Sequence, residues 1–199
     1  MEFKKLNNYS GWLTFLIALI VYSITVEDTA SFWDAGEFIE VSNKLEVPHP
    51  PGAPFYLLLG RFFSLFAFDN LEKIALAINF LSVISSAFTV LFLFWTITHL
   101  TSKIIKTNNI NNILLVLLSG LTGALSFTFT DSFWFSAVEA EVYAMSSFFT
   151  AFVFWAILRW ENSKNISSQN RWIILIAYMM GLSIGVHLLN LVAIPALAL

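Results

Sequence analysis

Long uncharged runs alternate with short polar stretches along the chain. The run from Ile74 to Thr98 carries no charged side chain over 25 residues, and a helix of that length crosses a hydrocarbon core of about 30 Å. The same reasoning predicts five membrane spans, at about residues 9–26, 74–98, 112–130, 142–158 and 172–190. We therefore expect an all-α integral membrane protein, built as a multi-pass helix bundle.

The last apolar run, from Trp172 to Leu199, is too long for one upright span. Asn190 and Pro195 indicate where this run breaks or turns. The run has no closing polar flank. We therefore expect residues 1–199 to form the N-terminal part of a larger transmembrane domain, with a C-terminal remainder missing.

The first apolar run, Leu6 to Val26, follows Lys4 and Lys5, as the apolar region of a signal peptide would. The run is long for a signal peptide, and Glu27 and Asp28 stand where small residues should mark a cleavage site. The pattern favours a retained first transmembrane helix, with cleavage as the alternative.

The stretch from Phe55 to Phe68 is apolar, but it is only about 14 residues long and Arg61 lies in its middle. It predicts a helix in the membrane interface, within an outer loop at residues 27–73. Seven basic residues then lie on one side of the membrane and three on the other, in agreement with the positive-inside rule. The seven are Lys4, Lys5, Lys103, Lys106, Arg159, Lys164 and Arg171, and the three are Lys44, Arg61 and Lys73.

Acidic residues follow the opposite distribution, with only Glu2 and Glu161 on the inner side. Acidic side chains contribute little to topology, so their concentration on the outer side needs another cause. A polar site that faces the outer compartment would supply one.

Within the first outer loop, Asp34 and Glu37 open a predicted short helix with Phe38, Val41 and Leu45 as its apolar stripe. Their i, i+3 spacing puts both carboxylates on one face, where they could act as general base and supporting acid. The same spacing imitates a capping box, with Asp34 as the N-cap. Both interpretations stay open, and they are compatible because a helix N-terminus favours an ionised carboxylate.

His49 lies between Pro48 and Pro50, and the prolines hold the chain around it in extended geometry. It is either a binding residue at a fixed place or part of a stiff connection between two helices. Arg61 could bind a lipid phosphate or extend its charge to the interface. Lys44 is a third cation on this side.

The second outer loop, DSFWFSAVEAE, contains Asp131, Glu139 and Glu141. On a helix, residues two apart point about 200° from each other, so only one of the two glutamates would face a given pocket. Asp131 is a candidate for substrate binding or a helix cap. His187 and Asn190 are candidates for substrate binding, with packing as the alternative.

Composition narrows the class of protein. The chain is 58% hydrophobic and 12% charged, with a mean hydropathy of +0.77, which is typical of membrane proteins. It has no Cys, which excludes disulfides, thiolate metal sites and cysteine nucleophiles. The net charge of −3 and the lack of a basic stripe with interleaved aromatics indicate no nucleic-acid partner.

Four stretches together resemble one family: WDAGEFI, LEVPHPPGAPFYLLLGRFFSLF, FWFSAVEAEVYA and GVHLLNL. With a membrane helix ahead of an acid-bearing outer loop, the chain resembles membrane-embedded glycosyltransferases of the GT-C type. It is most similar to a bacterial multi-pass family related to the eukaryotic transmembrane O-mannosyltransferase that acts on plexin-type receptor domains. The resemblance extends over essentially the whole chain.

The resemblance implies a GT-C-like fold and the transfer of a mannose-like sugar from a polyprenyl-phosphate donor to a hydroxyl of a protein or envelope glycan. It implies a protein of the bacterial inner membrane whose active face is on the outer, periplasmic side. The isolated fragment is expected to be inactive. Its partners would be membrane lipid, the lipid-linked donor and the acceptor. Beyond the donor no cofactor is implied; the carboxylates could hold a divalent ion, but we do not expect an obligatory metal.

By motif position, the resemblance assigns Asp34 as the catalytic acid of the first loop and Glu139 or Glu141 as the acid of the second. Among the GT-C type enzymes are sugar transferases that modify lipid A. His49 stands where those enzymes have a Lys before Pro-Pro. A leaving lipid phosphate needs cationic or hydrogen-bonding partners, for which His49, Arg61 and Lys44 are the candidates.

Two other classes of function stay open on the sequence. A transporter or lipid-carrier flippase would place ionisable groups near the membrane midplane, whereas the four clearest spans here contain no Asp, Glu, Lys or Arg. A non-catalytic scaffold of an envelope complex is the third, and the acid-rich outer loops make it less attractive.

Overall fold

The computed structural model of the chain describes residues 2–68 and 70–193. Over these residues the chain is helical, without strands, which confirms the all-α membrane class. Eight α-helices run in chain order: α1 Glu2–Ile24, α2 Ala35–Lys44, α3 Pro54–Ser64, α4 Ile74–Ile104, α5 Ile110–Thr128, α6 Asp131–Val138, α7 Val142–Glu161 and α8 Ile166–Ile184. Short 3₁₀ turns follow α3, precede α4 and follow α8, at Leu65–Ala67, Leu71–Lys73 and Leu188–Ala193.

Three stretches of the described chain are long and apolar enough to cross a membrane: Leu71–Ile104, Ile110–Thr128 and Val142–Glu161. They contain the predicted spans at 74–98 and 142–158 and overlap the one at 112–130 up to Thr128. Helices α1 and α8 occupy the positions of the first and last predicted spans, and for these two the crossing stays a prediction.

Helix α4 lies at the centre of the bundle, packed against α1, α5 and α7. Glycines on α1 and α5 let these neighbours approach it closely, as in many membrane helix pairs. Gly120 of α5 faces Phe94 and Thr98, and Gly11 of α1 faces Phe94 and the Trp95 indole. The hydroxyl of Thr89 donates to the Ser85 carbonyl of its own helix, so this buried polar group is satisfied.

The sequence predicted the short helix after Asp34 correctly, apart from its last apolar position. Phe38 and Val41 of α2 are buried. Leu45 adopts the left-handed conformation that ends the helix and is 54% exposed, so its side chain leaves the apolar stripe. The left-handed residue turns the chain toward the proline segment that contains His49.

The apolar stretch after the prolines forms α3, which begins at Pro54 and is about 16 Å long at 1.5 Å per residue. This length is well short of a hydrocarbon core of about 30 Å. Tyr56 and Leu57 pack against α2 and against Leu81 near the start of α4. The contacts hold α3 at one end of the bundle; its orientation along the membrane interface stays a prediction.

The last apolar run breaks earlier than the sequence suggested. Helix α8 ends at Ile184, and Gly185 closes it, six residues or so before the predicted break near Asn190. The Gly185 carbonyl accepts the backbone N–H of Phe55 at 2.8 Å, and a Cβ on Gly185 would lie 2.9 Å from that of Phe55. The break therefore comes where the chain meets the start of α3. The second predicted break, at Pro195, and the outer acid Asp69 lie outside the described residues.

The bundle has two chemically distinct ends. Lys4, His99 and Arg159 line one cavity, so the start of α1 and the ends of α4 and α7 lie together at what we call the basic end. At the opposite end, which we call the acidic rim, residues 25–53 lie beside residues 130–143 and 185–187. The structure thus separates the two ends as the charge pattern predicted, and the side of the membrane that each faces stays a prediction.

We predict that the basic end is cytoplasmic and that the acidic rim is outside. On this Cys-free chain, a cysteine at Ile104 should react with a membrane-impermeant maleimide only after the membrane is permeabilised, and a cysteine at Glu46 should react in intact cells. Labelling of position 104 from the outside alone would contradict this topology.

Gly60 of α3 should be sensitive to the addition of one methyl group. A Cβ at Gly60 would lie 2.7 Å from that of Ser42 on α2, whereas a Cβ at Gly181 of α8 meets nothing within 4 Å. We expect Gly60→Ala to lower the free energy of unfolding by about 1 kcal/mol or more. The matched change Gly181→Ala should be neutral or slightly stabilising. Equal thermal stability of the two variants would show that α2 and α3 do not pack this closely.

Candidate active site at the acidic rim

A series of hydrogen bonds joins the segment after α1 to the segment around α6. Successive residues of the first segment contact successive residues of the second, so the two segments run side by side in the same direction. The pairs are Trp134 Nε1 to Thr25 Oγ1 (3.1 Å), Glu27 N to the Val138 carbonyl (3.0 Å) and Ser31 Oγ to the Glu139 carboxylate, and the backbone N–H of Asp34 lies next to the Glu141 carboxylate. Asn79 of α4 also donates from Nδ2 to the carbonyls of Glu27 and Thr29. These bonds fix the start of α2 relative to the acids of the second outer loop.

Asp34 stands directly before α2 and its side chain is exposed. The carboxylate makes no capping hydrogen bond to the helix, so the capping box that the spacing allowed is not formed. Its backbone carbonyl accepts the N–H of Phe38 at 2.9 Å, which starts the helix without the side chain. The Asp34 carboxylate is therefore available for a ligand.

Glu37 holds His49 through two contacts. The backbone N–H of His49 donates to Oε1 at 2.7 Å, and the ring Nδ1 lies 2.8 Å from Oε2. The contact lowers the pKa of the Glu37 carboxyl and raises the pKa of His49. The negative charges of Asp34 and Glu141 raise the pKa of His49 further. Glu37 therefore orients the imidazole and favours its cationic form.

Glu139 and Glu141 lie in an extended linker between α6 and α7, and the helical geometry considered from sequence is wrong for them. In extended chain, residues two apart point to the same side, and both carboxylates are buried against the first outer loop. Burial raises the pKa of both groups, and for Glu141 to about 7, helped by the charges of Glu139 and Asp34. Glu141 is therefore near half protonation at neutral pH.

Two cavities meet at Asp34 and Glu141. The larger, of about 320 Å³, also contains Trp33, Glu139 and Tyr143. The smaller, of about 60 Å³, lies on the side of His49, and its wall is completed by Phe38, Tyr143 and His187. An extended ligand that follows both cavities would pass the Asp34 carboxylate.

Comparison with known proteins agrees with the motifs around these cavities. A family model described as the Protein O-mannosyl-transferase TMEM260 N-terminal domain matches residues 34–199. The chain belongs to this family. The first matched residue is Asp34, so the match takes in the site from the start of α2 onward.

Two curated relatives of the family were compared. The chain is 29% identical over 194 residues to "Protein O-mannosyl-transferase tmem260" of Dictyostelium discoideum, covering 92% of this chain and 22% of the relative. It is 25% identical over 165 residues to "Protein O-mannosyl-transferase TMEM260" of Mus musculus, covering 82% of this chain and 21% of that relative. The chain thus spans about a fifth of the length of these relatives. No solved structure matches.

In this member of the family, three of the charged candidate residues do not line the cavities beside Asp34. Lys44 pairs with Glu40 at 2.6 Å on the exposed face of α2. Arg61 donates to the Asn43 carbonyl at 2.8 Å and so joins α3 to the end of α2. Asp131 is exposed in the first turn of α6.

Asn190 is buried and links three parts of the bundle. Its Oδ1 accepts a hydrogen bond from Ser146 of α7 at 2.6 Å, and its Nδ2 donates to the Ser183 carbonyl of α8 at 3.1 Å. These contacts favour the packing interpretation over substrate binding. His187, in contrast, lines the smaller cavity with its ring 5.6 Å from that of Tyr143.

Tyr143 and Trp33 are cavity residues that the sequence interpretation missed. Tyr143 lies in both cavity walls and is 51% exposed, and Trp33 is 86% exposed with a φ of 60°. Both belong to stretches that carried the family resemblance, WDAGEFI and FWFSAVEAEVYA. Their position in the sequence, one or two residues from the candidate acids Asp34 and Glu141, could have indicated that they line the site.

Asp34, Glu37 and His49 could hold a metal ion, since one ligand atom of each lies within 4.8 Å of the others. Both oxygens of Glu37 already contact His49, so an ion would have to compete with these hydrogen bonds. Exposed acidic groups often lie this close without an ion. In this structure both oxygens of Glu37 instead hold His49 on the side of Asp34.

We predict that Glu37→Gln lowers the pKa of His49 toward its ordinary value. The raised pKa stabilises the fold below the ordinary pKa of histidine, and this contribution is lost as pH rises through the raised value. The lowered pKa of Glu37 acts above the ordinary value of a glutamate and is lost as pH falls through the lowered value. The pair is therefore most stabilising at pH values between the ordinary pKa of glutamate and the ordinary pKa of histidine.

NMR titration of the three labelled histidines measures this effect, with His49→Gln used to assign the signal. Glu40→Gln is the matched control, since Glu40 lies on the same helix and pairs with Lys44. An identical His49 titration in both variants would show that Glu37 does not determine the charge of the ring.

Proposed function

We propose that the acidic rim forms the transfer site of a GT-C type membrane glycosyltransferase. The enzyme would move a mannose-like sugar from a polyprenyl-phosphate donor to a hydroxyl on the outer face of the bacterial inner membrane. The acceptor is a protein, an assignment supported by the names of the relatives, with an envelope glycan as the other acceptor class. The observation that carries the proposal is the Asp34 carboxylate, which makes no capping bond and lies beside two cavities and His49.

Asp34 is the general base of the proposed reaction. The acceptor hydroxyl attacks the anomeric carbon while its proton passes to the Asp34 carboxylate. A new carbon–oxygen bond forms to the acceptor, the bond from the anomeric carbon to the phosphate oxygen breaks, and the lipid phosphate keeps the electron pair. An exposed carboxylate without a capping bond suits this role, because proton transfer needs direct reach to the hydroxyl.

His49 supplies positive charge for the phosphate that leaves. Its raised pKa favours the imidazolium at the wall of the smaller cavity, and a cation placed where charge develops lowers the barrier. Glu37 supports this by holding the ring. Arg61 and Lys44 have other contacts in this fragment, so His49 is the cation best placed to act.

Glu141 positions Asp34. Its buried carboxylate lies next to the backbone N–H groups of Asp34 and Val142, and burial raises its pKa to about 7. A neutral Glu141 repels the Asp34 charge less than an ionised one would. Glu139 contributes to the position of Asp34 indirectly, because it accepts a hydrogen bond from Ser31 in the same segment.

The described helices give less support to transport. The charges of α4 and α7 lie near their ends, at Lys103, Arg159 and Glu161, and α5 has none. A coupled transporter is expected to carry ionisable groups near the midplane. The acids instead gather at the rim, where a transferase needs them.

We predict that Asp34→Asn lowers the rate of sugar transfer by roughly 10²-fold or more while the protein folds normally, because asparagine cannot take the proton. The assay follows transfer from a polyprenyl-phosphate sugar by the full-length protein. Asp28→Asn is the matched control, as the same change at an exposed position of the same loop, and it should keep near-normal turnover. Near-normal turnover in Asp34→Asn would remove Asp34 from the site and move the base to Glu37.

A further inference from the structure

A second polar cavity lies at the basic end, on the opposite end of the bundle from the proposed transfer site. It has a volume of about 280 Å³ and lies between α1, α4 and α7. Each helix contributes residues from one face: Lys4 and Asn8 from α1, His99 and Ser102 from α4, and Trp155 and Arg159 from α7. The i, i+3 and i, i+4 spacings place these pairs on neighbouring turns.

Two cations of this cavity have no carboxylate partner within the described chain. Arg159 lies over the Trp155 ring, 6.0 Å from its centroid, and Lys4 makes no ion pair with a described residue. The nearby Lys103 is neutralised by Glu161 at 2.6 Å. The cavity thus carries an uncompensated positive charge that an anion would balance.

His99 offers a hydrogen-bond donor in the same wall. The Asn162 amide nitrogen donates to the Leu158 carbonyl at 2.7 Å and lies 2.9 Å from Nε2 of His99. Since an amide NH₂ group only donates, Nε2 must accept, and the ring proton is therefore on Nδ1. In a neutral imidazole with this tautomer, Nδ1 is the donor, and His99 is one of the residues that line the cavity.

The wall also contains polar atoms that the protein does not satisfy. Asn7 Oδ1 and Trp95 Nε1 are buried and have no hydrogen-bond partner among the described residues. Such atoms are rare in folded proteins. Both atoms are enclosed by protein rather than open to the cavity; the lining itself is polar at Lys4, Asn8, His99 and Arg159 and apolar at the rings of Phe3, Trp95 and Trp155.

We propose that this cavity binds the phosphate of an anionic phospholipid from the leaflet at the basic end. A phosphodiester accepts hydrogen bonds from Arg, Lys and imidazole N–H groups and balances their charge. The rings at the helix ends suit the level of lipid headgroups, where aromatic residues collect. With the predicted orientation this leaflet is the cytoplasmic one, which carries negative surface charge. The volume exceeds the about 30 Å³ of one water several-fold, so a headgroup fits.

The site is independent of the sugar-transfer proposal, because none of its residues belongs to the acidic rim. It would anchor the start of α1 to the ends of α4 and α7 through one bound lipid. Its failure in the test below would therefore leave the transfer site unaffected.

The experiment measures retention of phosphatidylglycerol and of phosphatidylcholine by the purified protein, using native mass spectrometry. We expect phosphatidylglycerol to bind preferentially, and Arg159→Gln and Lys4→Gln each to weaken it by about fivefold, since one cation near an anionic headgroup contributes about 1 kcal/mol. The matched control is Arg171→Gln, which removes the same charge at the same end outside the cavity and should change retention by less than twofold.

A variant that leaves the charge unchanged distinguishes binding in the cavity from attraction to the general surface charge. Ser102→Leu fills the cavity without altering charge and should also weaken phosphatidylglycerol binding, with a thermal unfolding midpoint close to that of the unchanged protein. If Arg171→Gln and Arg159→Gln reduced phosphatidylglycerol retention equally, the lipid would be attracted by the overall charge of this end, and the proposed site would be overturned. Equal retention of both lipids, or binding of inorganic phosphate alone without the lipid, would overturn the lipid assignment.

Discussion

The candidate site depends on one constraint, the hydrogen-bonded alignment of the first outer segment with the linker between α6 and α7. Asp34 reaches its place because Ser31 is held by Glu139 and because its backbone N–H lies next to the buried carboxylate of Glu141. Each bond contributes about 1 kcal/mol, but each also leaves a buried carboxylate unsatisfied when broken. The acids of the second loop therefore act first as the support of Asp34.

Burial divides the acids of the rim into two groups with different chemistry. Asp34 and Glu37 are accessible, and the contact with Glu37 raises the pKa of His49. Glu139 and Glu141 are buried, and their raised pKa values reduce the negative charge near the cavities at neutral pH. The rim thus combines accessible carboxylates, a histidine with a raised pKa and buried carboxylates whose charged form is disfavoured, whereas four fully ionised carboxylates would repel an incoming phosphate.

Much of the fold was predictable because long uncharged runs constrain a membrane helix strongly. The central spans, α2 and the gathering of acids at one end follow from periodicity and charge. Local geometry was not predictable where a tertiary contact decides it. Leu45 leaves its stripe to turn the chain, Gly185 ends α8 because it meets Phe55, and Glu139 and Glu141 lie in extended chain. The pairing of Glu37 with His49 spans a proline segment whose path the sequence left open.

The central claim is that a lipid-linked sugar binds at the acidic rim with Asp34 next to the reacting carbon. The most direct measurement is an experimental structure of the full-length protein with a non-hydrolysable polyprenyl-phosphate mannose analogue. We expect the anomeric carbon beside the Asp34 carboxylate and the phosphate within hydrogen-bond distance of His49. An analogue bound with its phosphate at the basic end, or with Asp34 and His49 remote from its sugar and phosphate, would contradict the account.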